Sequence, residues 1–316
     1  MRYQDVIPEQ AQSTILCTVN FKKDVDTSVI VDTFRDFCER LHPTMNSMKI
    51  RFPYDNFKFA MGIGADAWER LFPLSEKPKE LARFSEIKGK EKTAVSTEGD
   101  LFFHIRADKM DVCYEMMLII HKLLKDVIDP VDETHGFRFR DGRAIFGFVD
   151  GTENPDIEEA QDVVYIDDEN DPYQDGTYVL AQKYTFDLDL WETLTIEQQE
   201  LVVGRTKEYD LELSDDKKPS NAHTEISKAH DRMGEEVKIM RANIAFAEPS
   251  KNIFGSYFLG YSKDFSITLQ MLQHMFEGKD SDSHDSILDY FSTVSGNLFF
   301  VPSYEQLDKI ATGEIK

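Results

Sequence analysis

Residues 146–155 read Phe-Gly-Phe-Val-Asp-Gly-Thr-Glu-Asn-Pro. A short apolar run ends at Val149, and Asp150 is followed at once by Gly151, so the chain turns sharply where it presents a carboxylate. Asp-Gly alone is accounted for by a strand end whose side chain satisfies nearby N–H groups. This segment is more particular than such a turn requires, with Gly147 three residues before Asp150 and Thr152-Glu153-Asn154-Pro155 after it.

Outward from that loop, residues 14–21 are rich in β-formers and read as a strand. Residues 26–41 place Val29, Ile30, Phe34, Phe37, Cys38 and Leu41 on one helical stripe. Residues 48–51 and 57–62 read as two further strands around Pro53 and Asp55. Residues 65–71 read as a short helix carrying Trp68, residues 101–106 as a strand, and residues 109–124 as a long, largely buried helix. The second half repeats the rhythm with strand 178–186, helix 196–203, strands 237–245 and 256–261, helix 264–276 and a closing strand 297–301. Segments 57–68 and 257–269 both run aromatic strand, glycine, helix, which points to a structural duplication. This order predicts an α+β fold of two ferredoxin-like modules, 1–135 and 136–316, each an antiparallel sheet with helices packed on it. Two insertions in the second half, 152–176 and 206–231, exceed the usual connection length and are expected to border the functional site.

At 316 residues, 41% of them hydrophobic, the chain is long enough for two modules that each bury a core. The balance of 36 basic against 59 acidic residues, a net charge of -23, repels phosphate backbones and anionic lipid surfaces, so neither nucleic acid nor a membrane is an expected partner. Cys17, Cys38 and Cys113 are far apart and odd in number, which disfavours a disulfide framework, a zinc ribbon and thioether-linked haem. No run approaches the roughly 18 apolar residues of a membrane span, and residues 1–12 lack a secretory pattern, so a cytoplasmic protein is expected.

The chemistry-bearing residues gather in the second half. In the strand Val237-Lys-Ile-Met-Arg-Ala-Asn-Ile-Ala-Phe246, Arg241 and Asn243 are two apart and point to one face. An arginine among Ile239, Met240, Ile244 and Phe246 needs an anionic partner. Of eight histidines, His104 and His121 lie inside regular elements and read as structural, whereas His223 lies in the second insertion with His230 its close competitor.

The Gly-x-x-Asp-Gly pattern of residues 147–151, continued as Thr-Glu-Asn-Pro, resembles the signature loop of the dye-decolorising peroxidases, a family of haem enzymes. The segment Pro-Ser-Asn-Ala-His-Thr-Glu around His223 resembles the family's proximal-ligand segment, Arg241 matches its distal arginine, and Asn243 matches a distal asparagine of part of the family. The resemblance implies the same pair of ferredoxin-like modules, of the dimeric α+β barrel kind. It also implies one non-covalent haem b, with His223 as the metal ligand and Asp150, Arg241 and Asn243 as the catalytic set acting on hydrogen peroxide. A small aromatic reductant and a homo-oligomer, dimer or larger, follow from the same likeness. Arg205 reads as a clamp for a haem propionate or equally as a helix-end cation. Gly151 is placed beside the cofactor with Asp150, while Phe258, Leu259, Met271, Leu272 and Met275 read as macrocycle lining or as plain core. The second-shell acceptor for His223 stays open. A haem-handling protein on the same scaffold, or a cofactor-free binding protein, would need no distal acid and cation.

Overall fold

The computed structural model describes residues 2–7, 11–279 and 283–316. In the first half, strands β1 (Ser13–Phe21), β2 (Lys58–Gly64), β3 (Leu101–Ala107) and β4 (Ile128–Phe137) combine with helices α1 (Thr27–Arg51) and α2 (Met110–Leu124) in the order βαββαβ. They hydrogen-bond in the order β4-β1-β3-β2, so the fourth strand lies beside the first. In the second half β5 (Thr177–Phe186), β6 (Met240–Glu248), β7 (Ile253–Ser262) and β8 (Phe291–Val301), with α3 (Phe265–Glu277), pair as β8-β5-β7-β6, the same permutation. The two ferredoxin-like modules expected from the sequence are therefore both present.

Their sheets close into one barrel through two thin seams. Phe299 and Phe300 of β8 pair with Gly64 and Ile63 of β2, and Ala245 of β6 pairs with Phe137 of β4. Period-2 side chains then separate two environments. Leu16, Phe102, Val179, Tyr257, Leu259, Tyr261 and Phe299 fill the lumen, while the outer face of each sheet takes helices or, in the second module, a cleft.

Three sequence expectations are corrected. Residues 48–51 are the last turn of α1 and not a strand: Pro43 sits on the exposed side, and Met45 and Met48 continue the buried stripe of Ile30, Phe34, Phe37, Cys38 and Leu41 past it. β4 escaped notice because Pro130 and three acids, Asp129, Asp132 and Glu133, dilute its hydrophobic signal; the proline stands opposite Val19, where the register shifts and a missing N–H is tolerated. The strand expected at 237–245 is split, with Glu236–Val237 pairing to Ala229–His230 while β6 begins at Met240. In the first insertion, the helix Ile157–Val164 packs Ala160 and Val164 against the lumen cluster.

Candidate active site

The cleft is built on the outer face of the second sheet. Registers Asn243↔Phe258 and Phe258↔Gln182 align three side chains in one row, and Arg241 lies two residues along β6 on the same face. α3 contributes Thr268, Met271, Leu272 and Met275, spaced along one helical side, and the short helix His223–Ile226 contributes His223. With the loop carrying Asp150 these walls enclose about 1270 Å³ of empty space, mouth included. Asp150, Gly151, Arg205, His223, Arg241, Asn243, Phe258 and Met271, all singled out from the sequence, line this one cleft. Leu259 does not; one residue from Phe258, it points to the opposite face and is buried in the lumen. His230 is absent from the lining, and His104 is a buried structural residue whose Nδ1 meets the Tyr261 hydroxyl at 2.9 Å.

The loop is held at both ends of the acid. Gly147 and Gly151 take φ of +102° and +85°, backbone angles that suit glycine. A Cβ on Gly147 would in addition stand 2.5 Å from the Lys207 side chain. The Asp150 N–H donates to Gly142 O at 3.1 Å and the Ala144 N–H to Phe148 O at 2.9 Å, which makes a tight hairpin anchored by Phe146 and Phe148 on Trp191. Asn154 then ties the loop to β6: its Oδ1 accepts the Arg241 N–H at 2.8 Å and its Nδ2 donates to Arg241 O at 2.8 Å. One side chain thus occupies both backbone groups of the residue that carries the cation. Asn243 closes the link, donating from Nδ2 to Asp150 Oδ1 at 2.8 Å. In Asn154→Ala the reaction with peroxide is expected to slow about tenfold, for the loss of two hydrogen bonds, while haem affinity stays near wild type. Stopped-flow mixing with peroxide measures the first and haem titration the second.

Electrostatically the acid and cation oppose each other's burial. Desolvation pushes the Asp150 carboxyl above the usual range, against the pull of the Asn243 amide, the Arg241 charge and the Gly151 N–H. Asp150 keeps part of its surface, and that surface faces the cleft. Desolvation likewise lowers the Arg241 guanidinium, offset by Glu153, Asp150 and Glu236, and it stays protonated. Among the described residues no ion pair or hydrogen bond engages that guanidinium. Arg205 is already committed: Nε to Asp210 Oδ1 at 2.7 Å, Nη1 to Glu153 Oε1 at 2.7 Å and Nη2 to Asp210 O at 2.6 Å.

On the helical wall, His223 Nδ1 lies 2.7 Å from Asp285 Oδ2. Asp285 is fully buried, and its other oxygen accepts the Ile287 N–H at 3.0 Å. With that carboxylate accepting, Nδ1 carries the ring proton and Nε2 keeps its lone pair for a metal. Asp285 is the acceptor that sequence reasoning left open.

Sequence models described as Dyp-type peroxidase, N-terminal and Dyp-type peroxidase, C-terminal match residues 3–138 and 141–306. The chain belongs to the Dyp-type peroxidase family. It is 43% identical over 276 residues to a dye-decolorizing peroxidase of Mycobacterium tuberculosis, covering 87% of this chain and 82% of that one. It superposes on the dye-decolorizing peroxidase of Bacteroides thetaiotaomicron with a TM-score of 0.92 at 47% identity, over 98% of each chain. A variant of the Rhodococcus jostii RHA1 relative, solved in complex with haem, gives a TM-score of 0.90 at 36% identity over 96% of this chain and 97% of that one. The protein is accordingly a haem-dependent peroxidase.

The cleft of this Dyp-type peroxidase suits a haem by its own chemistry. It offers an imidazole nitrogen free for iron, apolar walls from Phe258, Met271, Leu272, Ile287, Leu288 and Phe291, and an unsatisfied donor in the fully buried Gln182. Gln182 Oε1 accepts the Tyr184 hydroxyl at 2.8 Å, while its Nε2 has no hydrogen-bond partner among the described residues. A buried orphan donor is costly unless the occupant supplies an acceptor. Sequence reasoning missed Gln182, although its position in strand 178–186 shares the parity of Tyr184. In Asp285→Asn, haem affinity is expected to fall by about 10–100-fold, the usual effect of removing the group that orients a ligating imidazole, as read by haem transfer to a competing acceptor protein.

Proposed function

We propose that the haem b of this peroxidase occupies the cleft with His223 Nε2 on its iron, and that Asp150, Arg241 and Asn243 act on peroxide there. The observation that carries this reading is the convergence of an acid, a cation and an amide from loop and sheet into the cleft that also holds an oriented imidazole. When bound, the haem supplies the redox chemistry, taking oxidising equivalents from peroxide and passing them to one-electron donors. Asp150 takes the proton from one peroxide oxygen and returns it to the other, so that the departing oxygen leaves as water. Arg241 stabilises the negative charge that grows on that oxygen. Asn243 holds the Asp150 carboxylate in place, and its own Oδ1 faces the Ser256 hydroxyl at 3.5 Å. A protein that only stored haem would need none of these three.

The reductant is a small aromatic, phenolic or dye-like, and the second module, 136–316, carries the haem. A cytoplasmic homo-oligomer completes the proposal. The cytoplasmic part is supported by the three buried, unpaired cysteines, of which burial pushes the Cys17 and Cys113 thiols up to about 12, and the oligomer by the likeness to the family. Among the described residues no helix is long and apolar enough to cross a membrane. The test is the absorption spectrum of the haem-reconstituted protein before and after an equimolar addition of hydrogen peroxide. A Soret band that shifts promptly and returns with a phenolic donor is expected; a band indifferent to peroxide would overturn the proposal.

A further inference from the structure

Two thioethers face the place where oxidising equivalents are delivered. Met271 and Met275 lie one helical turn apart on α3 and are, among the described residues, the methionines that line the cleft. Met271 is 7% exposed and packs with Ala229 and Ile239, while Met275 is partly buried against the main core. Bulk solvent reaches Met271 poorly except through the cleft. Met233, 84% exposed, offers a thioether of the opposite kind within the same chain.

We propose that Met271 and Met275 are the sites of turnover-dependent self-oxidation: when peroxide is consumed and no external donor arrives, one of these thioethers becomes a sulfoxide. In the net step a sulfur lone pair forms the S–O bond, the O–O bond of hydrogen peroxide breaks, and the second oxygen leaves with both protons as water. Sulfur is oxidised by two electrons and peroxide reduced by two. A flexible, polarisable thioether is more open to this reaction than the aliphatic and aromatic neighbours Leu272, Ile287, Leu288 and Phe291 that line the cleft with it.

The product is not neutral to the site. A sulfoxide places a strong dipole in the apolar surface made with Ile239 and Phe258. At Met275 it also strikes the segment whose carbonyl accepts the Asp285 N–H at 2.8 Å, next to the acceptor of His223. Donor starvation would thereby loosen cofactor binding, and a methionine sulfoxide reductase would restore it. The inference rests on the haem occupying this cleft.

Peptide mapping by mass spectrometry tests it on the holoprotein, with haem-free protein as reference, each given excess peroxide with and without a phenolic donor. Oxidation of Met271 and Met275 is expected to run at least about tenfold faster in the holoprotein and to be suppressed by the donor, with Met233 oxidised equally in both forms. Equal rates at Met271 and Met275 with and without haem, or Met233 ahead of them in the holoprotein, would overturn it. The near-isosteric Met271→Leu/Met275→Leu pair should complete more turnovers before losing its Soret band; an unchanged count overturns the inactivating role. Failure of the underlying haem placement looks different, since His223→Ala would then keep the wild-type Soret spectrum.

Discussion

Haem affinity in His223→Ala is expected to fall by about 100-fold or more, beyond what loss of a second-shell partner alone produces. The substitution removes the nitrogen that Asp285 orients toward the cleft and leaves a fully buried carboxylate with, among the described residues, one remaining partner, the Ile287 N–H. That second effect lowers stability by roughly 1–3 kcal/mol, so a thermal melt should accompany the titration. Added imidazole separates the two contributions. It can enter the space left by the side chain, restore a nitrogen ligand and hydrogen-bond Asp285, so haem binding should recover while the covalent connection stays broken. An unchanged histidine-ligated spectrum without imidazole would remove His223 from the iron and direct attention to His230, the competitor seven residues on.

How far the site was legible follows from how each residue is specified. Arg241 and Asn243 were readable as one face because strand parity is a local rule, and Asp150 because the whole loop 147–155 resembles the family's signature; the positive φ of Gly147 and Gly151 gives the physical reason for that pattern. Asp285 follows no such rule. It meets His223 across 62 residues of sequence, through a turn whose local mark is its own Asx hydrogen bond to Ile287, and acids in that stretch are too many to single one out. Asn154 was quoted as part of the loop, yet its pairing with the Arg241 backbone, 87 residues away, is tertiary information. The fold divides similarly. The βαββαβ rhythm came through in the second half, whereas in the first the strand expected at 48–51 is helix and β4 was not foreseen, because a strand that gains its order from pairing with β1 along its length needs little hydrophobic periodicity of its own. At Pro43 the opposite occurred: a strong local stop signal was overridden by Met45 and Met48 packing into the core.

Asp150→Asn and Arg241→Leu should both slow the reaction with peroxide while the haem stays bound, and pH separates their roles. Removing the base is expected to slow the step about 10²–10⁴-fold, and removing the cation about 10²–10³-fold. Desolvation raises the Asp150 carboxyl, so its proton-accepting form is lost as pH falls through that raised value, and the acid limb of the wild-type rate profile lies above that of an ordinary aspartate. In Asp150→Asn that limb should vanish. In Arg241→Leu it should move to still higher pH, because the charge that pulls the carboxyl down is gone while burial remains. Stopped-flow rates followed from acid to neutral pH decide the matter. An acid limb that persists in Asp150→Asn assigns the base elsewhere, and one that fails to move in Arg241→Leu means the two side chains act independently, against the linkage that Asn154 and Asn243 build between loop and strand.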